Sequence, residues 1–257
     1  MRRGITLALS SGGARGFSHI GVLQCLERYR VPVLGIAGSS MGGLVGALYC
    51  TGYSPSMLQE LAVGLRRHQW IDFSVSKMGM VRGQKLLGLM NLLTHNRTFQ
   101  DCNPPLTLVA VDIERGQEVV IGEGSVAEGV RATTSIPGIF SPFVKDDRVL
   151  VDGGVLNRVP VDLARELAPE APVVAVDAGI DMTPVVKSVF DILFQAFDIM
   201  ARELRQYKPI NADVVIEPSL PNAREAQFTR VEEFIRAGER ACEEKMPEIL
   251  RMLEGSA

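Results

Sequence analysis

Histidine is scarce in this 257-residue chain, which carries only His19, His68 and His95. The four cysteines, Cys25, Cys50, Cys102 and Cys242, lie far apart and form no Cys-x-x-Cys pair. These two scarcities exclude a cysteine–histidine zinc site and leave buried free thiols as the expectation. There is no basic surplus either: 27 lysines and arginines face 30 acids, a net charge of −3, so electrostatics gives no reason to expect nucleic-acid binding. A long unbroken apolar run is also missing. Val31 to Tyr53 is uncharged and approaches membrane-spanning length, but Pro32, Gly35, Gly38, Gly42, Gly43, Gly46 and Gly52 punctuate it. It divides into a strand-like run, Val33 to Ala37, and a helix-like run, Leu44 to Tyr49. The N-terminus reaches only a short apolar stretch, Ile5 to Leu9, so no secretory signal is expected and a reducing cytoplasm is.

What is present is a composition suited to folding: 46% apolar and 22% charged residues, with no repeat, low-complexity tract or linker. One domain over residues 1–257 is expected. Strand-like runs fall at Ile5–Leu9, Val33–Ala37, Leu106–Val111, Val149–Val151, Val173–Val176 and Val214–Ile216. Most are continuously apolar, as strands covered on both faces are. Helical patterns lie between them, at 14–29, 41–50, 56–65, 125–134, 161–167, 184–206 and 229–253. This alternation predicts an α/β fold, a three-layer α/β/α sandwich around a mainly parallel sheet, with a C-terminal helical region over 184–253. Ligands in such folds bind beyond the carboxyl ends of the strands. Residues 64–97 stand apart, with a charge of +5, the only tryptophan, Trp70, and an apolar run, Leu86 to Leu93. They read as a flap over a hydrophobic pocket, as a peripheral contact with an anionic membrane at its inner face, or as a surface helix packed on the core. In the segment 184–206 the apolar stripe Val185, Val186, Val189, Phe190, Leu193, Phe194, Phe197 and Met200 reads as core packing, an acyl groove or a dimer contact.

Gly38-Ser39-Ser40-Met41-Gly42 fits Gly-x-Ser-x-Gly and lies between a strand-like and a helix-like run, the setting that a nucleophile elbow requires. Ser40 fits the frame. Ser39 does not, because Ala37 and Met41 would flank it. Ser11-Gly12-Gly13-Ala14-Arg15-Gly16 follows the first strand and opens the first helix. As a dinucleotide fingerprint it is defective: Ser11 takes the first glycine's place, and no acid closes the second strand. As an oxyanion hole it is sound, since bare glycine backbone exposes N–H groups. A tight turn without catalytic duty is the plain alternative.

A serine nucleophile needs a base. None of the three histidines follows a late strand, and Ser40 comes after only two strands, too early for an ordinary α/β-hydrolase triad. A strand-end carboxylate remains. Asp152, followed by Gly153-Gly154, is one; Asp112 and Asp177 are rivals. Such a base needs a partly dry site to raise its pKa, and a direct hydrogen bond to the serine.

Together these motifs resemble the patatin-like phospholipase family, in particular its short bacterial members, from Ile5 to about Pro218. Ser10–Gly16 with His19–Leu23 is similar to the family's glycine-rich motif and helix, Gly38–Gly42 to its nucleophile motif, and Asp152-Gly153-Gly154 to its Asp-Gly-Gly motif. Residues 131–140 and 157–161 resemble two further blocks. The resemblance implies a patatin-like fold, Ser40 as nucleophile, Asp152 as base, and backbone amides around Gly12, Gly13 and Arg15 as oxyanion donors. It implies a lipid or other acyl-ester substrate and no metal or organic cofactor. Ser10, Ser11, Thr133 and Ser141 depart from the family's usual residues. The rival functions are a non-catalytic regulator or scaffold on the same fold, and an acyltransferase or thioesterase using the same dyad.

Overall fold

The computed structural model describes residues 4–76, 78–179, 186, 189–220 and 228–255, without the side chains of residues 67, 74–76 and 190. Its strands are β1 (Ile5–Leu9), β2 (Val33–Ser39), β3 (Phe73–Ser76), β4 (Gly79–Val81), β5 (Leu106–Asp112), β6 (Gln117–Ile121), β7 (Phe143–Lys145), β8 (Arg148–Asp152), β9 (Val173–Val176) and β10 (Val214–Ile216). Its α-helices are α1 (Ser18–Arg28), α2 (Met41–Cys50), α3 (Pro55–Gly64), α4 (Gln84–Leu93), α5 (Val126–Thr133), α6 (Val161–Leu167), α7 (Val189–Tyr207) and α8 (Val231–Gly255).

The period of two along the central strands divides their side chains between two cores. Leu7, Leu9, Ile36, Leu108, Val174 and Ile216 face α1, α2, α3, α5 and α8. Ala8, Ala37, Val109, Val173 and Ala175 face α6. Small residues on the second face let α6 lie close: a Cβ on Gly35 would stand 2.8 Å from that of Leu167. On the first face α1 and α8 cross backbone to backbone, since a Cβ on Gly21 would fall 1.8 Å from the Ile235 carbonyl oxygen. The result is the expected layered α/β architecture.

The sheet runs β10-β9-β1-β2-β5-β8-β7, with β6 also on β5. The first four pairings, from β10 to β5, are parallel; those of β5 with β6, β5 with β8 and β7 with β8 are antiparallel. Because β6 occupies one edge of β5 from Leu108 to Asp112, β2 and β8 must share the other. They meet on it head to head: Ser39, the last residue of β2, pairs with Val109, and Asp152, the last of β8, pairs with Ala110. The carboxyl ends of two oppositely directed strands are thereby brought to one place.

The structure changes several details of the expected outline. A 3₁₀ turn, Gly13–Phe17, precedes α1 where one continuous helix is expected. In residues 64–97, α4 buries Leu86 and Met90 in the main core beside α5, Trp70 packs on Phe228, and Phe73, Met78 and Leu92 are exposed. Lys77 of that window lies outside the described residues. On α7, Leu193 and Phe194 join the core, whereas Val189, Ile192, Ile199 and Met200 face outward. The expected stripe is therefore split; its Val185, and the expected helix start at 184–185, lie outside the described residues. No helix among the described residues is long and apolar enough to cross a membrane.

Candidate active site

Ser40 sits where β2 turns into α2, at φ 52° and ψ −121°. A positive φ on a non-glycine residue costs of the order of 1–3 kcal/mol and persists only where the surroundings impose it. The surroundings here are backbone. A Cβ on Gly38 would lie 2.5 Å from the Gly43 Cα, and one on Gly42 would lie 2.3 Å from the Leu9 carbonyl oxygen. The two glycines of the Gly-x-Ser-x-Gly pattern thus let the turn press against α2 and the end of β1. Thr133 locks it from α5: its hydroxyl accepts the Ser40 N–H at 2.9 Å and donates to the Val109 carbonyl at 2.6 Å.

The Ser40 hydroxyl donates to Asp152 Oδ2 at 2.5 Å, and no imidazole intervenes. Asp152 Oδ1 accepts the Gly154 N–H at 2.8 Å, and the Asp152 N–H donates to the Ser135 carbonyl at 3.0 Å. Burial pushes the Asp152 carboxyl up to about 6; the Ser40 hydrogen bond, the Gly154 N–H and the positive charge of Arg158 act in the opposite sense. The carboxylate is therefore available near neutral pH and far more basic than an exposed aspartate. The rival acids are engaged elsewhere. Asp112 pairs with Arg115 at 2.5 Å, and Asp177 pairs with Arg205 at 2.8 Å and accepts the Gly179 N–H.

The glycine loop forms the facing wall. Gly12 and Gly13 line the cleft at the start of the 3₁₀ turn, where the first N–H groups have no partner within the turn. A Cβ on Gly12 would lie 2.9 Å from that of Ala178, so the loop also needs its glycine for packing. Arg15 points away from the cleft. Its N–H donates to the Gly12 carbonyl at 3.1 Å, and its buried guanidinium grips both oxygens of Asp198 on α7 at 3.0 and 3.1 Å. Arg158 lies 3.6 Å from the same carboxylate. Behind the loop, His19 is fully buried with Nε2 2.8 Å from the Ser10 carbonyl oxygen, and burial pulls its pKa down to about 4. It is a neutral brace donating to that carbonyl. His68 and His95 are exposed and line no part of the cleft.

Ser11, Ile136, Pro137, Val155, Phe194 and Phe197 complete the walls of a narrow cleft of about 40 Å³. No residue of 64–97 lines it, so that window does not cover Ser40 among the described residues; its helix is drawn instead onto α5 and the core. Sequence reasoning missed Asp198 as a site neighbour and the bracing roles of Thr133 and His19, although those two fall in the 131–140 and His19–Leu23 blocks; Phe194 and Phe197 stood in the 184–206 stripe, for which an acyl groove was one of three readings.

Two solved structures share the fold: VipD from Legionella pneumophila, with a TM-score of 0.60 at 14% identity, covering 99% of this chain and 67% of that one, and the ExoU–SpcU complex of Pseudomonas aeruginosa, with 0.55 at 17%, covering 97% and 52%. An uncharacterized NTE family protein of Mycobacterium tuberculosis is 34% identical over 183 residues, 68% of this chain and 47% of the relative. The human patatin-like phospholipase domain-containing protein 6 is 32% identical over 188 residues, 68% of this chain but 13% of that protein. The chain thus spans about half the length of the mycobacterial relative and a small part of the human one. A sequence model described as patatin-like phospholipase matches residues 7–165, which hold the glycine loop, Ser40 and Asp152. Since that match takes in well over half of its residues, the chain belongs to the patatin-like phospholipase family.

Proposed function

We propose that this protein is a serine acyl hydrolase that cleaves carboxylic esters of lipids through a Ser40–Asp152 dyad and an acyl-enzyme. The 2.5 Å contact between Ser40 Oγ and Asp152 Oδ2 carries the reading. In the proposed reaction Asp152 takes the Ser40 proton as Oγ attacks the ester carbonyl carbon. The N–H groups of Gly12 and Gly13 hold the developing oxyanion, and one such donor is worth ~10²–10³ in turnover. Arg15 serves that hole as a brace rather than a donor, because its N–H and guanidinium are both committed. The alkoxide leaving group departs with the proton, and water then releases the acid. None of these steps calls for a metal or organic cofactor.

A lipid substrate is supported by the family and by what surrounds the cleft. Ile136, Pro137, Val155, Phe194 and Phe197 make its walls apolar. A volume near 40 Å³ holds a few water molecules and cannot enclose an acyl chain, so a long-chain ester would extend out of the cleft past Phe194 and Phe197. Exposed Phe73 and Met78, within a window of charge +5, suit a peripheral contact with an anionic lipid surface from the cytoplasmic side.

Hydrolysis of a short p-nitrophenyl ester tests the reading. Ser40→Ala and Asp152→Asn are each expected to abolish turnover while circular dichroism stays native, and wild-type Ser40 is expected to take a fluorophosphonate label. Turnover retained by a folded variant ends the dyad; a wild type that is neither active nor labelled points to the non-catalytic reading.

A further inference from the structure

The two amides assigned to the oxyanion differ in what aims them. A peptide group is a rigid trans plane, so its C=O and the N–H that follows point in opposite directions, and whatever fixes one fixes the other. The Gly12 N–H shares its plane with the Ser11 carbonyl, to which the Ser10 hydroxyl donates at 2.9 Å; that hydroxyl accepts the Ala178 N–H at 2.8 Å, just past β9. The Gly13 N–H shares its plane with the Gly12 carbonyl, to which the Arg15 N–H donates at 3.1 Å. Arg15 is held in turn from another element, 183 positions away: one guanidinium nitrogen lies 3.0 and 3.1 Å from the two carboxylate oxygens of Asp198 on α7.

Both partners are out of water, with Arg15 1% and Asp198 3% exposed. Ion pairs buried in this way are poorly repaid in stability, since packed apolar residues of similar volume often serve as well. What the pair supplies and apolar contact does not is direction. Asp198 also stands where the walls of the cleft meet. Arg158, which lines the cleft and whose carbonyl accepts the Ser11 N–H at 3.0 Å, lies 3.6 Å from the same carboxylate. Phe194 and Phe197, the cleft-lining residues of α7, precede Asp198 within about one turn of that helix.

We propose that Asp198 is the positioning residue of the oxyanion hole, holding Arg15 so that the Gly13 N–H faces the carbonyl oxygen of the bound ester. It enters on the strength of the dyad reading above and touches no reacting atom itself. Charge develops on the carbonyl oxygen only as Ser40 attacks, so a misaimed Gly13 N–H is felt in the transition state and spares the binding of substrate. The Gly12 N–H keeps its own anchor. The loss is therefore bounded by one donor, ~10²–10³ in turnover, of which a misaimed donor forfeits a part.

The test compares wild type, Asp198→Asn and the double variant Arg15→Met with Asp198→Leu on p-nitrophenyl butyrate, at a temperature where circular dichroism shows each to be folded. Asp198→Asn keeps the shape of the side chain without its charge, and kcat/KM is expected to fall ~10- to 100-fold. Binding of a trifluoromethyl ketone, whose adduct with Ser40 carries an oxyanion, is expected to weaken by a similar factor. Competitive inhibition by an alkyl ether of the same length, which has no carbonyl, is expected to stay unchanged. The double variant exchanges the ion pair for apolar contact; it is expected to melt near wild type and to be as slow as Asp198→Asn, and it decides the matter if Asp198→Asn does not fold. Wild-type kcat/KM in either folded variant overturns the proposal. So does a loss of ether binding equal to the loss of ketone binding, because the cleft as a whole would then have altered. Ser40→Ala and Asp152→Asn run beside them: turnover retained by either ends the dyad, whereas their inertness beside a fully active Asp198→Asn removes only the positioning role.

Discussion

The buried carboxylate of Asp152 carries a thermodynamic signature that can be measured without substrate. Its folded-state pKa stands at about 6 against an ordinary 3.8, and burial is the main cause. Between these values the folded protein holds a proton that the unfolded chain has released, so stability falls as pH rises from about 4 to about 6 and is level above. At about 1.4 kcal/mol per pH unit the gap amounts to ~3 kcal/mol of lost stability at pH 8. Asp152→Asn keeps the size of the side chain, its amide oxygen can take the Gly154 N–H, and it removes the ionisation. The variant is therefore expected to melt higher than wild type at pH 8, by roughly 5–10 °C for a domain of this size, and to converge with it near pH 4. Thermal unfolding of both proteins across a pH series reads this directly. A difference in melting temperature that does not vary with pH, or a variant that melts lower at pH 8, would refute the claim that the base is held at the expense of stability.

Two further expectations concern the supports of the site. Thr133→Ser keeps the hydroxyl that joins the Ser40 N–H to the Val109 carbonyl and is expected to retain activity; Thr133→Val leaves both groups unpaired, lowers stability by ~1–3 kcal/mol and slows ester cleavage, as denaturation curves and initial rates will show. Gly21→Ala sets a methyl 1.8 Å from the Ile235 carbonyl oxygen and is expected to prise α8 from α1, costing more than ~3 kcal/mol; a melting temperature within a few degrees of wild type would mean that the helices are free to separate.

Six of the ten strands among the described residues were legible as apolar runs because they are covered on both faces, and for the same reason the layered architecture followed from their alternation with helices. The four that were not, β3, β4, β6 and β7, are short and partly exposed: Val120 and Val144 face outward on β6 and β7, and Gly79–Val81 is three residues long. Their apolar pattern is too brief to stand out, and a hairpin edge has no signature when only one face is dry. The motif residues of the site were legible because glycines mark where backbone approaches backbone, at Gly12, Gly38 and Gly42. Asp198 was not, because its contact with Arg15 joins residues 183 positions apart and neither sits in a recognisable pattern with the other. Phe194 and Phe197 read as part of one apolar stripe, and no spacing rule separates the cleft-lining members from the outward-facing ones.

A single strand acts as the ruler for the proposed reaction centre. Neither Ser40 nor Asp152 is located by the loop that carries it so much as by where its parent strand stops along β5, at Val109 and Ala110. A slip of β8 by one residue would carry the acid ~3.3 Å along that edge and turn its side chain to the opposite face of the sheet. Insertions tolerated almost anywhere on the surface would thus be ruinous between residues 106 and 112, although no atom of those side chains takes part in the chemistry.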